Sequence, residues 1–286
     1  MKKSGLIKVG TILGLVFLSA ILFFIFEKSW QDLFFDESKP TAHFYRDSSV
    51  PISDINLKVF YVVPANRTAN ILSNWREVIE NNLAKVSAFH VLQFRGLSRL
   101  TYDIYPEIVI LKNNEDIYNS KANGGTVIIS IAEELSRRVF TPSGDLYNAD
   151  SVPSGENKYA VLGLVYEGEN FTVFNGGIVK PASAKESVHD FSLLSGVPES
   201  IIFKADLEKI KGFFLIGRDN LINSPTAIGS TQLYEIIAHT FGLPDAINSV
   251  GVPLSDDLMG LGRVKPIENN YLSRKTLKDL GVLSDL

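Results

Sequence analysis

The chain has 286 residues, a formal net charge of −4 and no cysteine. The lack of cysteine excludes disulfides, thiolate metal ligands and a cysteine nucleophile. The slightly acidic balance, with no basic run after the amino terminus, gives no electrostatic support for nucleic-acid binding, so we expect no nucleic-acid partner.

The amino terminus predicts a membrane anchor. Residues 1–8 are basic and would form a short cytoplasmic tail, whereas residues 9–26 contain no charged side chain. Such a run is long enough to cross the hydrocarbon core of a bilayer as a single helix. The lysines before it place the amino terminus in the cytoplasm and the main domain outside the cell or in the periplasm. A cleaved signal peptide, the alternative, would have a shorter apolar core and a small-residue cleavage site.

Polar, turn-forming residues without a helical or strand period follow the anchor. They include Asp36–Thr41 and Asp47–Pro51. Residues 27–54 are therefore predicted to form a stalk between the membrane and a folded domain at residues 55–286. That domain is long enough to bury one sizeable core.

The domain opens with a strand signal and then a helix signal. Leu57–Val63 is a β-branched and aromatic run that predicts a strand ended by Pro64. From about Asn70, apolar residues recur at helical spacing and predict an amphipathic helix. Later apolar runs predict strands at Ile108–Leu111, Val127–Ser130 and Ile210–Gly217, and a hairpin of Tyr159–Tyr166 with Phe171–Val179.

One segment near the carboxyl terminus has the spacing of a metal-binding helix. Glu235 and His239 are four residues apart, so their side chains would lie on one face of a helix and reach one ion. Gly242 supplies the left-handed conformation that ends a helix, and Pro244 prevents the helix from continuing. Asp245 would then return toward the same ion. These residues predict a metal site of Glu235, His239 and Asp245.

This segment resembles the motif of the metzincin zinc peptidases, H-E-x-x-H-x-x-G-x-x-H, in which Asp replaces the last His in some members. Ser255–Gly260 resembles the family's Met-turn, in which a methionine, here Met259, lies beneath the metal. Tyr271–Val282 resembles the closing helix, with Ser273 and Gly281 as its caps. The resemblance implies an α+β zincin domain: a twisted mixed sheet, an active-site helix, a Met-turn and a C-terminal helix. It also implies bound zinc or another divalent metal.

The motif departs from the family at two positions. Glu235 stands where the first histidine ligand belongs, and Ile236 stands where the catalytic glutamate belongs. Ile236 cannot accept a proton, so the general base is missing. In a shifted register with one inserted residue, Glu235 becomes the base and Tyr234 replaces the first ligand, which would need a π-bulge. No catalytic residue is therefore assigned, apart from Glu235 if the register is shifted.

Three functions are compatible with these residues. The first, which we favour, is a membrane-anchored extracytoplasmic pseudoprotease that binds a peptide or protein partner by strand addition. The second is an active metal-dependent endopeptidase with Glu, His and Asp ligands, whose base is recruited from Glu235, Asp256 or Asp257. The third is a structural envelope domain without a ligand. The remaining histidines are interpreted as ordinary structural or surface residues: His43, His90 and His189.

Overall fold

A mostly parallel β-sheet forms the centre of the folded part of the chain. The computed structural model describes residues 40–119, 130–131, 134–135, 158–168, 174–178, 210–222, 228–246, 248 and 250–284. The strands in chain order are β1 (His43–Phe44), β2 (Asp47–Pro51), β3 (Asp54–Val63), β4 (Arg99–Ile104), β5 (Val109–Ile110), β6 (Lys158–Tyr166), β7 (Phe174–Ile178) and β8 (Ile210–Gly217). The order across the main sheet is β4, β3, β6, β8, β7, and β5 pairs with the end of β3. Every pairing in this sheet is parallel except that of β7 with β8.

The predicted hairpin of Tyr159–Tyr166 with Phe171–Val179 is wrong. β6 pairs in parallel with β3 on one side and with β8 on the other, so β7 joins the sheet beyond β8. All residues of β6 from Tyr159 to Tyr166 are buried. A strand that is apolar along its whole length and covered on both faces is typical of the middle of a parallel sheet. Closeness in the chain suggested the hairpin, whereas burial placed β6 between two distant strands.

The helix between β3 and β4 packs its inward face against the sheet. This helix, α1 (Trp75–Gln93), has buried residues at helical spacing: Ile79, Leu83, Val86, Phe89 and His90. The predicted amphipathic helix is therefore confirmed. It begins later than the sequence suggested, since Ala65–Asn70 forms a 3-10 helix before it.

The other described α-helices are α2 (Glu115–Asn119), α3 (Arg218–Ile222), α4 (Gly229–Thr240) and α5 (Arg274–Asp279). Helix α4 is buried almost throughout and packs against α1, β7 and β8. Helix α5 is capped by Ser273, whose hydroxyl accepts from the N–H of Thr276 at 3.2 Å. The chain turns away after the helix at Gly281, which has a φ of +71°. The predicted helix between Ser273 and Gly281 is confirmed.

Residues 41–54, which fall in the predicted stalk, pack on the domain. β1 and β2 form an antiparallel pair, and Ile52 is fully buried. The N–H of Tyr45 donates to the carbonyl of Phe241, 3.1 Å away. The compact unit accordingly runs from Thr41 to Leu286 and begins earlier than the predicted domain boundary.

The predicted tail (1–8), anchor (9–26) and first part of the stalk lie outside the described residues. Among the residues that the structure describes, no helix is both long enough and apolar enough to cross a membrane. The predicted strand Val127–Ser130 is described only at Ser130, which is helical. The anchor and its orientation stay predictions.

Candidate metal centre

Helix α4 ends in a turn that reverses the chain. Gly242 has a φ of +90°. Its N–H donates to the carbonyl of His239 at 3.1 Å, and the N–H of Leu243 donates to that of Ala238 at 3.2 Å. This Schellman arrangement satisfies the last carbonyls of the helix. A Cβ at position 242 would also lie 2.4 Å from Cζ of Phe44. Gly242 therefore ends the helix as the sequence predicted.

The turn brings three potential metal ligands together. Glu235 and His239 are one turn apart on α4. Nε2 of His239 lies 3.3 Å from Oδ1 of Asp245. One ligand atom from each of the three residues lies within 4.8 Å of the others. Two carboxylates and an imidazole suit a divalent ion, so these residues, called the Glu/His/Asp group below, could hold a metal ion.

The ring of His239 has the orientation that a metal ligand needs. Its Nδ1 lies 2.7 Å from the carbonyl oxygen of Leu243. A carbonyl only accepts, so Nδ1 carries a proton and the neutral ring has its lone pair on Nε2. Metal-binding histidines are oriented through their second nitrogen in this way. Nε2 is buried and has no hydrogen-bond partner among the described residues, although Asp245 lies within ion-pair distance.

An arginine that the sequence interpretation did not include contacts the same group. Nη2 of Arg263 lies 3.2 Å from Oε1 of Glu235 and 3.1 Å from Oδ1 of Asp245. Nη2 also donates to the carbonyl of Met259 at 3.0 Å, and Nε donates to that of Gly260 at 3.2 Å. The donor atoms of the group suit an ion, but a guanidinium already contacts both carboxylates.

Sequence reasoning missed Arg263 because this residue belongs to no metal-binding motif. A signal was available in the charge pattern. The motif brings two carboxylates together without a cation, and Arg263 is the first basic residue after Asp245 in the chain. Buried carboxylates need a counter-charge, so the nearest basic residue downstream was a candidate for that role.

The charges of the group shift the pKa values of its members. Burial is the largest influence on Glu235 and raises its pKa, against the opposing effects of Arg263 and His239. Burial alone would lower the pKa of His239, but the contact with Asp245 and the charge of Glu235 raise it. The contact with His239 lowers the pKa of Asp245, and Arg263 adds to that effect. The arrangement therefore favours an ionised Asp245 beside a histidine that protonates more readily than an isolated buried one.

Met259 and Asp257 connect the group to helix α5. Met259 is buried, and its carbonyl accepts from the N–H of Ala246 at 2.9 Å. One carboxylate oxygen of Asp257 accepts from the N–H of Met259 and the other from the hydroxyl of Thr276, both at 3.1 Å. Met259, Asp257 and Asp245 also line a cavity of about 230 Å³. Asp257 is thus committed to the turn and to α5, which argues against its use as a recruited base.

The surroundings of Tyr234 and Ile236 distinguish the two motif registers. The hydroxyl of Tyr234 lies 3.1 Å from Nδ1 of His90, so Tyr234 is directed toward α1 and not toward His239. Ile236 is fully buried. The shifted register would need Tyr234 as a metal ligand, and its contact with His90 disfavours that role. The geometry favours the register in which Glu235 is the first ligand and Ile236 stands at the position of the base.

The other two histidines that the structure describes take no part in the Glu/His/Asp group. His90 is buried between Tyr234 and Ser98. His43 lies in β1, with its Nδ1 2.8 Å from the carbonyl of the next residue. His189 lies outside the described residues.

Comparison of the sequence with protein-family models finds no match, and comparison with curated proteins finds none either. The resemblance to metzincins therefore stays a prediction from the motif. The structure shows a mixed α/β fold with a mostly parallel sheet, five strands in a row with β5 paired to the end of β3, and packed helices. It also shows a Glu/His/Asp group that could hold a metal ion.

Proposed function

We propose that this chain is a membrane-anchored, extracytoplasmic, metzincin-like pseudoprotease that binds a peptide or protein partner. Several observed features support the zincin part of the proposal. The strand–helix opening, the mixed sheet, the glycine turn after α4, the buried Met259 and the closing helix α5 follow one another in the order that the resemblance implies. The apolar run at residues 9–26 supports the anchor.

The main support for an inactive protein is Ile236, which is fully buried and stands at the position of the general base in the motif. Metal-dependent peptide hydrolysis needs a proton acceptor beside the attacking water. The carboxylate of Glu235 is engaged by Arg263, and that of Asp257 by the turn around Met259. Neither is free to replace a glutamate at position 236.

The sheet edge supports the binding part of the proposal. Among the described strands, β7 pairs only with β8, and helix α4 packs beside it. An extended peptide could add to such an edge by main-chain hydrogen bonds, on the sheet that α4 packs against. Recognition of this kind needs no metal and no general base. It is therefore compatible with Glu235 in place of the first histidine and Ile236 in place of the glutamate.

An active metallopeptidase is the second candidate, and the Glu/His/Asp group is the observation that favours it. That function would require Arg263 to leave the carboxylates and a base to come from elsewhere. The two functions give opposite results in one experiment. The full chain, purified in detergent, is incubated with casein and with a random peptide library, with zinc added or with a chelator.

We expect no cleavage under either condition, and selective retention of some library peptides on the immobilised chain. Retained peptides should protect β7 and residues 235–259 from amide hydrogen exchange, since strand addition buries those groups. Cleavage that the chelator and the variant His239→Ala both abolish would establish the peptidase instead. Retention of no peptide, or protection confined to other segments, would contradict the proposed binding mode.

A further inference from the structure

The Glu/His/Asp group already has a cation of its own. Glu235 and Asp245 bring two carboxylates together, with their side chains 11 % and 31 % exposed. Carboxylates that are taken out of water need a counter-charge. In a metal centre the ion supplies that charge. Here Nη2 of Arg263 lies 3.2 Å from one carboxylate and 3.1 Å from the other.

Backbone contacts position the guanidinium independently of the carboxylates. Arg263 belongs to the 3-10 helix Leu261–Val264, and only Gly260 separates this helix from Met259. Its Nε donates to the carbonyl of Gly260 and its Nη2 to that of Met259. These main-chain contacts hold the guanidinium where it reaches both carboxylates. The turn that follows Met259 therefore delivers the guanidinium to the group.

We propose that Arg263 takes the place of the metal ion, so that the native chain holds Glu235, His239 and Asp245 together without zinc. An ion bound to both carboxylates would lie about 2.0–2.2 Å from their oxygens. Nη2 of Arg263 contacts one oxygen of each carboxylate and therefore lies next to that position. A zinc ion and the guanidinium would repel each other there. Zinc can bind only if Arg263 gives up its contacts with both carboxylates. This inference concerns the group alone and does not rest on the proposed peptide binding.

Zinc binding by the full chain and its Arg263→Ala variant tests the inference. Each protein, purified in detergent and stripped with EDTA, is dialysed against zinc chloride, and bound zinc is measured by mass spectrometry. We expect Arg263→Ala to bind zinc about tenfold or more tightly than the wild type. The double variant Arg263→Ala/His239→Ala should lose that binding, because His239 supplies the nitrogen ligand.

Arg218→Ala is the matched control. The Arg218 side chain is 21 % exposed, against 30 % for Arg263, and it too contacts two carboxylates, those of Glu167 and Asp219, each at 2.8 Å. It does not contact the Glu/His/Asp group, so its loss should leave zinc binding at the wild-type level. A general loosening of the fold would instead raise zinc binding in both arginine variants and would contradict the proposal.

Two further results would overturn the inference: equally tight zinc binding by the wild type and Arg263→Ala, or no zinc binding by a folded Arg263→Ala. If Arg263→Ala does not fold, as judged by circular dichroism, Arg263→Gln replaces it. The wild type also gives an answer by itself. Its thermal midpoint should be unchanged by EDTA and by excess zinc, whereas a saturable rise with zinc would show that the metal binds despite Arg263. Because no peptide takes part in these measurements, their outcome is separate from that of the peptide assay.

Discussion

Two buried histidines of this protein differ in their neighbours. His90, on α1, is fully buried, with its ring nitrogens 3.1 Å from the hydroxyl of Tyr234 and 2.8 Å from that of Ser98. Burial among these neutral partners lowers its pKa to about 3. His239, on α4, is 3 % exposed, yet its pKa is raised because Asp245 and Glu235 outweigh the effect of burial.

The difference shows that burial by itself does not identify a functional histidine. Hydroxyl partners satisfy both nitrogens of His90 and keep the ring neutral, which is the behaviour of a structural residue. Asp245 lies 3.3 Å from the second ring nitrogen of His239, and together with Glu235 it makes the ring part of a charged group. The neighbours of each histidine determine which of the two roles the residue takes.

The largest expected effect is on stability, at His90. Replacing His90 by Ala should lower the free energy of unfolding by about 3–5 kcal/mol, because it leaves a cavity and the buried hydroxyl of Tyr234 without its partner. His239→Ala should cost less, about 2–3 kcal/mol, since it also leaves a cavity and the Leu243 carbonyl without its donor, but Arg263 still neutralises the two carboxylates. Urea denaturation measures both values. Equal losses would mean that the two histidines do not differ in the way described here.

A second test removes the turn that brings Asp245 to His239. Gly242→Ala should cost about 2–3 kcal/mol, because a positive φ is strained for Ala and the methyl group would press on Phe44. Gly251 has a similar φ of +80° but no atom within 4 Å of an added Cβ. Gly251→Ala should therefore cost only about 1 kcal/mol. Thermal unfolding of both variants measures the difference, and similar midpoints would show that the Phe44 contact is unimportant.

The third test is the acid dependence of His90. Its pKa is 6.5 in its ordinary state and about 3 in the folded protein, so the unfolded chain takes up the proton first. Stability is therefore fully present above about pH 6.5 and falls as the pH decreases toward 3, by up to about 1.4 kcal/mol per pH unit. In His90→Gln this dependence disappears. The stability difference between wild type and His90→Gln should shrink between pH 7 and 4, and a constant difference would exclude a neutral His90.

The smallest expected effect on stability comes from restoring the first histidine of the family motif. Glu235→His should raise zinc affinity and alter the free energy of unfolding by about 1 kcal/mol, apart from any contribution of bound zinc. It replaces one carboxylate that Arg263 contacts by a nitrogen ligand, which weakens the hold on the guanidinium. Isothermal titration with zinc chloride measures the affinity. A folded Glu235→His/Arg263→Ala variant that binds no zinc would show that the metzincin alignment is wrong, because Arg263 no longer competes there.

The sequence by itself determined those features that depend on near neighbours in the chain. The end of α4 at Gly242 and the cap of α5 at Ser273 were predictable because each follows from one residue's backbone freedom or side-chain hydrogen bond. The spacing of Glu235, His239 and Asp245 was enough to predict that they meet, since a helical turn and a reversal place them together. The strand at Leu57–Val63 followed from local composition.

Only the tertiary structure decided which distant residues surround those local features. The parallel placement of β6 between β3 and β8 depends on burial by strands far away in the chain. The neutral partners of His90 and the position of Arg263 likewise come from separate elements. The physical reason is that a motif specifies the ligands within one turn and loop, whereas the charge that balances them depends on which other segment the fold brings within about 3 Å.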